Sequence, residues 1–203
     1  MFGPAQLTAL GFIALILTGT ALLSMPFASA DGAPTALVSA LFTATSATTL
    51  TGLVTEDTGS HWSLAGQLIV LALIQVGGLG IMSITSLTGM LLTGRVKLRS
   101  RYSTAAEGRP ILDGGVRRTL VATLLLTFFF EGAVAVILGI RFATVYGMAP
   151  GRAAYEGVFH AISGFNNAGF GLRSDSLVSY NTDGWILIPV SYTHLRAHET
   201  DSY

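Results

Sequence analysis

A block of 13 residues, Leu41–Leu53 (LFTATSATTLTGL), returns 117 positions later as Val158–Phe170 (VFHAISGFNNAGF). Phe42/Phe159, Ala44/Ala161, Ser46/Ser163 and Gly52/Gly169 coincide, and small or apolar residues fill most other places. A helix needs about 20 apolar residues to cross a bilayer, so both copies are too short. Each ends in a glycine followed by a bulky apolar residue, and the first lies between two segments long enough to cross. Backbone that leaves the helix at membrane depth must be buried in protein or line a water-filled cavity. The pattern therefore points to re-entrant half-helices that break at a glycine. Carbonyl oxygens freed there can replace the water around a cation.

Charged residues make up 11% of the chain, against about 25% in soluble proteins. Length alone suggests one or two globular domains, but the apolar residues come in blocks of spanning length. Lys+Arg equals Asp+Glu, which leaves no net charge to attract nucleic acid, and the absence of Cys rules out disulfides and thiolate metal sites. The expected class is an integral membrane protein.

Ala5–Met25 carries no charge and stops at Pro26. Ala28-Ser29-Ala30 resembles a signal-peptide cleavage site, but no Lys or Arg precedes the run, which favours a retained helix. Asp31–Thr35 is read as a loop, Leu37–Thr49 as the first half-helix, Thr51-Gly52-Leu53 as its break and Glu56–Ser60 as the return to the surface. Leu64–Leu92 is the second span. Arg95, Lys97, Arg99, Arg101, Arg109, Arg117 and Arg118 crowd residues 94–118, and no Lys or Arg precedes Arg95. The positive-inside rule puts 94–118 in the cytoplasm and 26–63 outside. Thr119–Ile140 spans back, Arg141–Arg152 forms an outer loop, Ala153–Phe165 is the second half-helix, and Trp185 starts another helix. The expected fold class is an all-α membrane protein of repeated helix, pore half-helix and helix units arranged like a potassium channel. The first repeat occupies 1–93, the basic loop 94–118 and a truncated second repeat 119–190. Parallel repeats of this kind surround an axis normal to the membrane.

Stacked carbonyls face one way only if some residues take backbone angles closed to most side chains, and glycine reaches them cheaply. That is the physical case for Gly52 and Gly169. Thr49, Leu50 and Thr51 are the carbonyl donors expected in the first repeat, and Asn166, Asn167 and Ala168 those in the second. The Asn166 and Asn167 side chains are candidates for holding the loop in shape. The half-helices point their negative dipole ends towards the ion path, so no carboxylate is needed beside the break.

Residues 191–203 stand apart. Val190–Thr200 resembles the conceptual translation of a transposase mosaic-end sequencing adapter, and the composition turns polar at Ser191 within an apolar run. This tail is set aside as non-native, so His194 and His198 are not read as a metal pair. The natural protein is expected to continue past Pro189.

Ala5–Gly11, Ala40–Leu53 (ALFTATS to TGL), Gln67–Ile81 with its IQVGGLGI run, and Phe159–Phe170 together resemble the Trk/Ktr potassium-uptake family, closest to the Ktr-type membrane subunit. The resemblance covers residues 5–189. It implies four such repeats around one potassium pore with a filter glycine in each, Gly52 and Gly169 matching the first two. It further implies a homodimer of full-length subunits in the cell membrane, seated on a cytosolic ring of nucleotide-binding regulatory subunits. Sodium is a possible activator or co-ion. The third and fourth repeats and the family's gating loop are absent from this chain, so two repeats alone are expected to be inert.

Glu131 lies mid-span between Phe128-Phe129-Phe130 and Gly132, and an ionisable group there is either functional or a hydrogen-bonded structural acid. An inward-facing Ser, Thr or Arg is its expected partner. His160 is read as a packing histidine, with a pH-sensing role as the alternative, and His61 as an interfacial residue beside Trp62. Gly77, Gly78 and Gly80 serve either as a hinge or as a seat for close helix packing. No nucleophile elbow, zinc-protease motif or phosphate loop occurs, which argues against an enzyme. The rival function is a proton-coupled carrier or intramembrane enzyme using Glu131 and His160.

Overall fold

A computed structural model describes the backbone of residues 4–100, 112–174, 180 and 182–186, and the side chains of 6–82, 121–174, 180 and 182–186. Residues 101–111 of the basic loop and the tail 191–203 lie outside the described residues, as do His194 and His198.

Among the described residues five α-helices follow one another: α1 (Pro4–Leu23), α2 (Leu37–Thr49), α3 (Leu64–Ser100), α4 (Leu112–Thr144) and α5 (Pro150–Phe165). No β-strand occurs among the described residues; a lone bridge joins Ser29 to Trp62. Among the described residues three helices hold stretches long and apolar enough to cross a membrane, Gln6–Leu23, Leu64–Met82 and Val121–Thr144, and α2 is a shorter apolar helix. The chain is thus a mostly helical membrane protein.

The half-helix α2 has the bounds read from the sequence. α5 starts at Pro150, three residues before the expected Ala153, because proline at the first helical position has its φ preset and no N–H to lose. α4 runs through Arg141 to Thr144, beyond the expected Ile140. α3 likewise continues past Leu92 through Arg95, Lys97 and Arg99 to Ser100. A charge ends a membrane span but not a helix, since Arg and Lys are good helix formers. The 37 residues of α3 measure about 55 Å, well beyond the ~30 Å of hydrocarbon. Beyond α5, Asp183 Oδ1 accepts the Trp185 N–H at 3.0 Å and caps a helical turn at 184–186, which begins one residue before the expected Trp185.

The chain divides into two compact units, 79–129 and the remainder. The larger unit contains α1, packed on α2, with both half-helices, the first part of α3 and the last part of α4. Its main core joins Leu23, Ala40, Ala44, Ala47, Trp62, Val70, Ile74, Phe159, Ala168 and Phe170. Gly19 of α1 sits close against this core, where a Cβ would lie 2.7 Å from Leu73 Cδ1 and 3.3 Å from Ala44 Cβ. A second core joins Leu138, Phe142, Ala153, Tyr180 and Ile186. Gly157 of α5 and Gly139 of α4 meet there, and a Cβ on Gly157 would sit 2.8 Å from the Gly139 nitrogen. The loops on either side of α2 are tied by Ala30 N–H to His61 O and Ser63 N–H to Ala28 O, each 2.9 Å.

Candidate functional site

Both half-helices end in the same hydrogen-bonded turn. In α2 the Thr51 N–H donates to Ser46 O at 3.0 Å; in α5 the Ala168 N–H donates to Ser163 O at 2.8 Å. These six-residue closures are the Schellman arrangement, which needs a left-handed residue just past the helix. Leu50 (φ 59°) and Asn167 (φ 55°) supply it, and they are the only non-glycine residues with positive φ among those described. Two residues further on, Gly52 (φ 74°) and Gly169 (φ 71°) are left-handed again. Left-handed backbone thus recurs at alternate residues in both copies, with Thr51 and Ala168 between.

A leucine in the left-handed region costs roughly 1–2 kcal/mol. Its strain is held by anchors behind the turn. Thr51 Oγ1 donates to Ser46 Oγ at 3.0 Å, and Ser163 Oγ donates to Phe170 O at 2.6 Å. Ser46 and Ser163 are the paired serines of the sequence repeat, both buried.

The fold brings the two turns into contact. A Cβ on Gly52 would lie 2.9 Å from Ala168 O and 3.1 Å from Gly169 Cα. Of the eight residues singled out in sequence, Thr49, Thr51 and Gly169 are exposed, Leu50, Gly52 and Asn167 half-buried, and Asn166 and Ala168 buried.

Behind the turns runs α3, unbroken through Gly77, Gly78 and Gly80. A Cβ on Gly77 would overlap the main chain of Thr48, and one on Gly78 the side chain of Asn166. At these two positions the missing side chains admit the ends of both half-helices.

Glu131 of α4 is 4% exposed. Its Oε2 accepts from Gln75 Nε2 and its Oε1 from Asn166 Nδ2, both at 3.1 Å. The partners are therefore amides, not the Ser, Thr or Arg expected from sequence. Several helical hydroxyls bond instead to their own preceding turn, as Thr20 does to Ile16 O, Thr45 to Leu41 O and Thr144 to Ile140 O. His160 is buried, with Nδ1 2.8 Å from Glu156 O and its ring edge-on to Phe142 and Phe159. Its hydrogen bond and those of Glu131 go to different partners. His61 lies 3.1 Å from Thr35 Oγ1 and edge-on to Trp62.

Two polar pairs escaped sequence reasoning. Arg152 Nε donates to the buried Glu156 at 2.9 Å, an i,i+4 pair on α5. Arg141 Nε donates to Asp183 Oδ2 at 2.8 Å, and Tyr146 donates to the same oxygen at 3.1 Å. The Arg141 hydrogen bond holds the Asp183 carboxyl below its ordinary value. The spacing of Arg152 and Glu156 was a readable signal; that of Arg141 and Asp183 was not.

Known proteins give the chain a family. A family model described as "cation transport protein", TrkH, matches residues 5–195. The chain is 38% identical over 191 residues to the Ktr system potassium uptake protein B of Bacillus subtilis, covering 94% of this chain and 42% of that protein. It is 38% identical to the potassium/sodium uptake protein NtpJ of Enterococcus hirae, covering 93% and 41%. To the Ktr system potassium uptake protein B of Vibrio alginolyticus it is 34% identical, covering 89% and 39%. The chain thus spans about two-fifths of the length of these relatives, which are transporters and not enzymes. With three helices apolar enough to cross a membrane among its described residues, the chain belongs to the TrkH family of cation transport proteins.

Proposed function

We propose that this chain forms two of four repeats lining the pore of a potassium-uptake subunit, and that ions are selected by main-chain carbonyls of its two turns. The observation that carries the reading is the matched backbone: left-handed at Leu50 and Gly52, left-handed at Asn167 and Gly169, with the two glycines in contact. Alternating residues of positive and negative φ lets successive carbonyls face the same side, which an ordinary β-strand does not permit. Thr49, Leu50, Thr51 and Gly52 contribute from the first repeat, and Asn166, Asn167, Ala168 and Gly169 from the second.

In this reading potassium enters from the outer face, sheds water at the ring containing Gly52 and Gly169, and passes to a cavity beneath. The full-length subunit has four repeats, works as a homodimer in the cell membrane and couples to a nucleotide-binding cytosolic ring through its inner face, where residues 94–118 lie. The printed name of the Enterococcus relative includes sodium, which supports sodium as co-ion or activator.

The test is growth of potassium-uptake-deficient bacteria on limiting potassium, supported by the full-length subunit. Gly169→Ser is expected to lower growth at low potassium and to sensitise the cells to sodium. Unchanged growth under both conditions, with the protein in the membrane at normal amount, overturns the reading.

A further inference from the structure

Asn166 stands at the start of the second turn and its side chain is fastened from three directions. Its Nδ2 donates to Glu131 Oε1 at 3.1 Å and to Ile162 O at 2.9 Å, and stands 3.5 Å from Gln75 Oε1. Its opposite face rests where Gly78 has no side chain. Glu131 is in turn held by Gln75. Elements α3, α4 and α5 are thus joined at one residue, immediately before the left-handed Asn167.

The first repeat has nothing comparable. The 117-residue offset of the repeat maps Asn166 onto Thr49 and Glu131 onto Ala14, so both members of the pair are missing together. Thr49 is exposed and bonds only back to its own helix, at Thr45 O, 2.8 Å. An acid at mid-span is costly and persists when it is fully engaged. Both carboxyl oxygens here are engaged, and one of them is on the turn itself.

We propose that Glu131 is a positioning residue for ion selection: through Asn166 it sets the backbone of the second turn, and the two turns are therefore braced unequally. Loss of the carboxyl frees Asn166 to rotate and lets the carbonyls behind it relax, which admits the smaller cation. The inference rests on the filter reading above, and its test separates the two.

The experiment uses the full-length subunit in proteoliposomes and measures the apparent KM for potassium and for sodium, with membrane amounts matched. Glu131→Leu, which keeps the bulk and removes both acceptors, is expected to lower potassium-over-sodium discrimination about tenfold, the scale of one hydrogen bond to a charged group. Glu131→Gln keeps an acceptor and gains a donor that a flipped Gln75 can meet, so it is expected to stay close to wild type. Gly52→Ser is the control. If it loses discrimination while Glu131→Leu retains it, the positioning role is wrong and the filter stands. If both retain it, the filter reading fails and the positioning role fails with it. If Glu131→Gln abolishes transport outright, Glu131 acts by titrating and the positioning role is wrong. Should Glu131→Leu not accumulate, Asn166→Ala breaks the same bond from the other side and is judged by the same outcomes.

Discussion

Gly52 and Gly169 meet backbone to backbone: a Cβ on Gly169 would stand 3.0 Å from the Cα of Gly52. That is tighter than nearly all real Cβ contacts, and both residues are left-handed as well. Each glycine is therefore required twice, for its torsion and for its neighbour. Two helix ends separated by more than a hundred residues in sequence are joined with no side chain between them.

Leu50 offers a way to weigh torsion against packing. It is left-handed and only half-buried. By apolar area alone Leu50→Val should be less harmful than Leu50→Gly. The left-handed torsion reverses that order, because a β-branched residue is worst there and glycine best. Thermal stability in detergent should rank Leu50→Gly above Leu50→Val by about 1 kcal/mol. The opposite ranking means that packing dominates at this turn.

Gly77 and Gly132 are both helical glycines with opposite surroundings. A Cβ on Gly77 overlaps the Thr48 main chain, whereas one on Gly132 meets nothing within 4 Å. Gly77→Ala is expected to destabilise by about 1–3 kcal/mol through forced displacement of α2. Gly132→Ala should be neutral or mildly stabilising. Heat-dependent loss of the monodisperse peak in size-exclusion chromatography checks both, and a harmless Gly77→Ala contradicts the close seating of α2 on α3.

The Arg141–Asp183 pair predicts a pH dependence. Hydrogen bonding by Arg141 depresses the folded-state value of Asp183 below its ordinary 3.8. A depressed carboxyl contributes stability that is present above the unfolded value and is lost as pH falls through the folded one. Wild type should therefore melt higher than Asp183→Asn near neutrality, with the gap closing below about pH 4. A gap that persists unchanged at pH 3 contradicts the assignment. Asp183 is buried and Arg141 only partly exposed, so salt screens the effect weakly.

If the pathway is built from four repeats, as proposed, two do not enclose it. Residues 1–190 reconstituted alone in liposomes are expected to carry no potassium flux above protein-free controls. Measurable, potassium-selective flux from that chain contradicts the fourfold arrangement.

The sequence was legible where local physics decides. α2 ends just ahead of Gly52, and the Phe-x-Ala-x-Ser spacing announced that α5 ends the same way ahead of Gly169. The left-handed Leu50 was not legible, because sterics disfavour it. Helix ends set by charge were misread, since Arg141 and Arg95 close a hydrophobic span while the helix runs on through them. Long-range pairing left no local trace. Gln75, Glu131 and Asn166 come together from three helices, and nothing in their spacing states it. Gly77 and Gly78 were visible as weak points of a helix, but that one faces Thr48 and the other Asn166 required the packed structure.

The central claim is that main-chain oxygens held by two touching glycine turns choose the ion. The most direct measurement is competition between potassium and sodium for uptake by the full-length subunit carrying Gly52→Ser, in proteoliposomes of matched protein content. The account predicts a fall in potassium preference of about tenfold or more, since a side chain there displaces the Ala168 carbonyl. Wild-type preference at wild-type rate would contradict it.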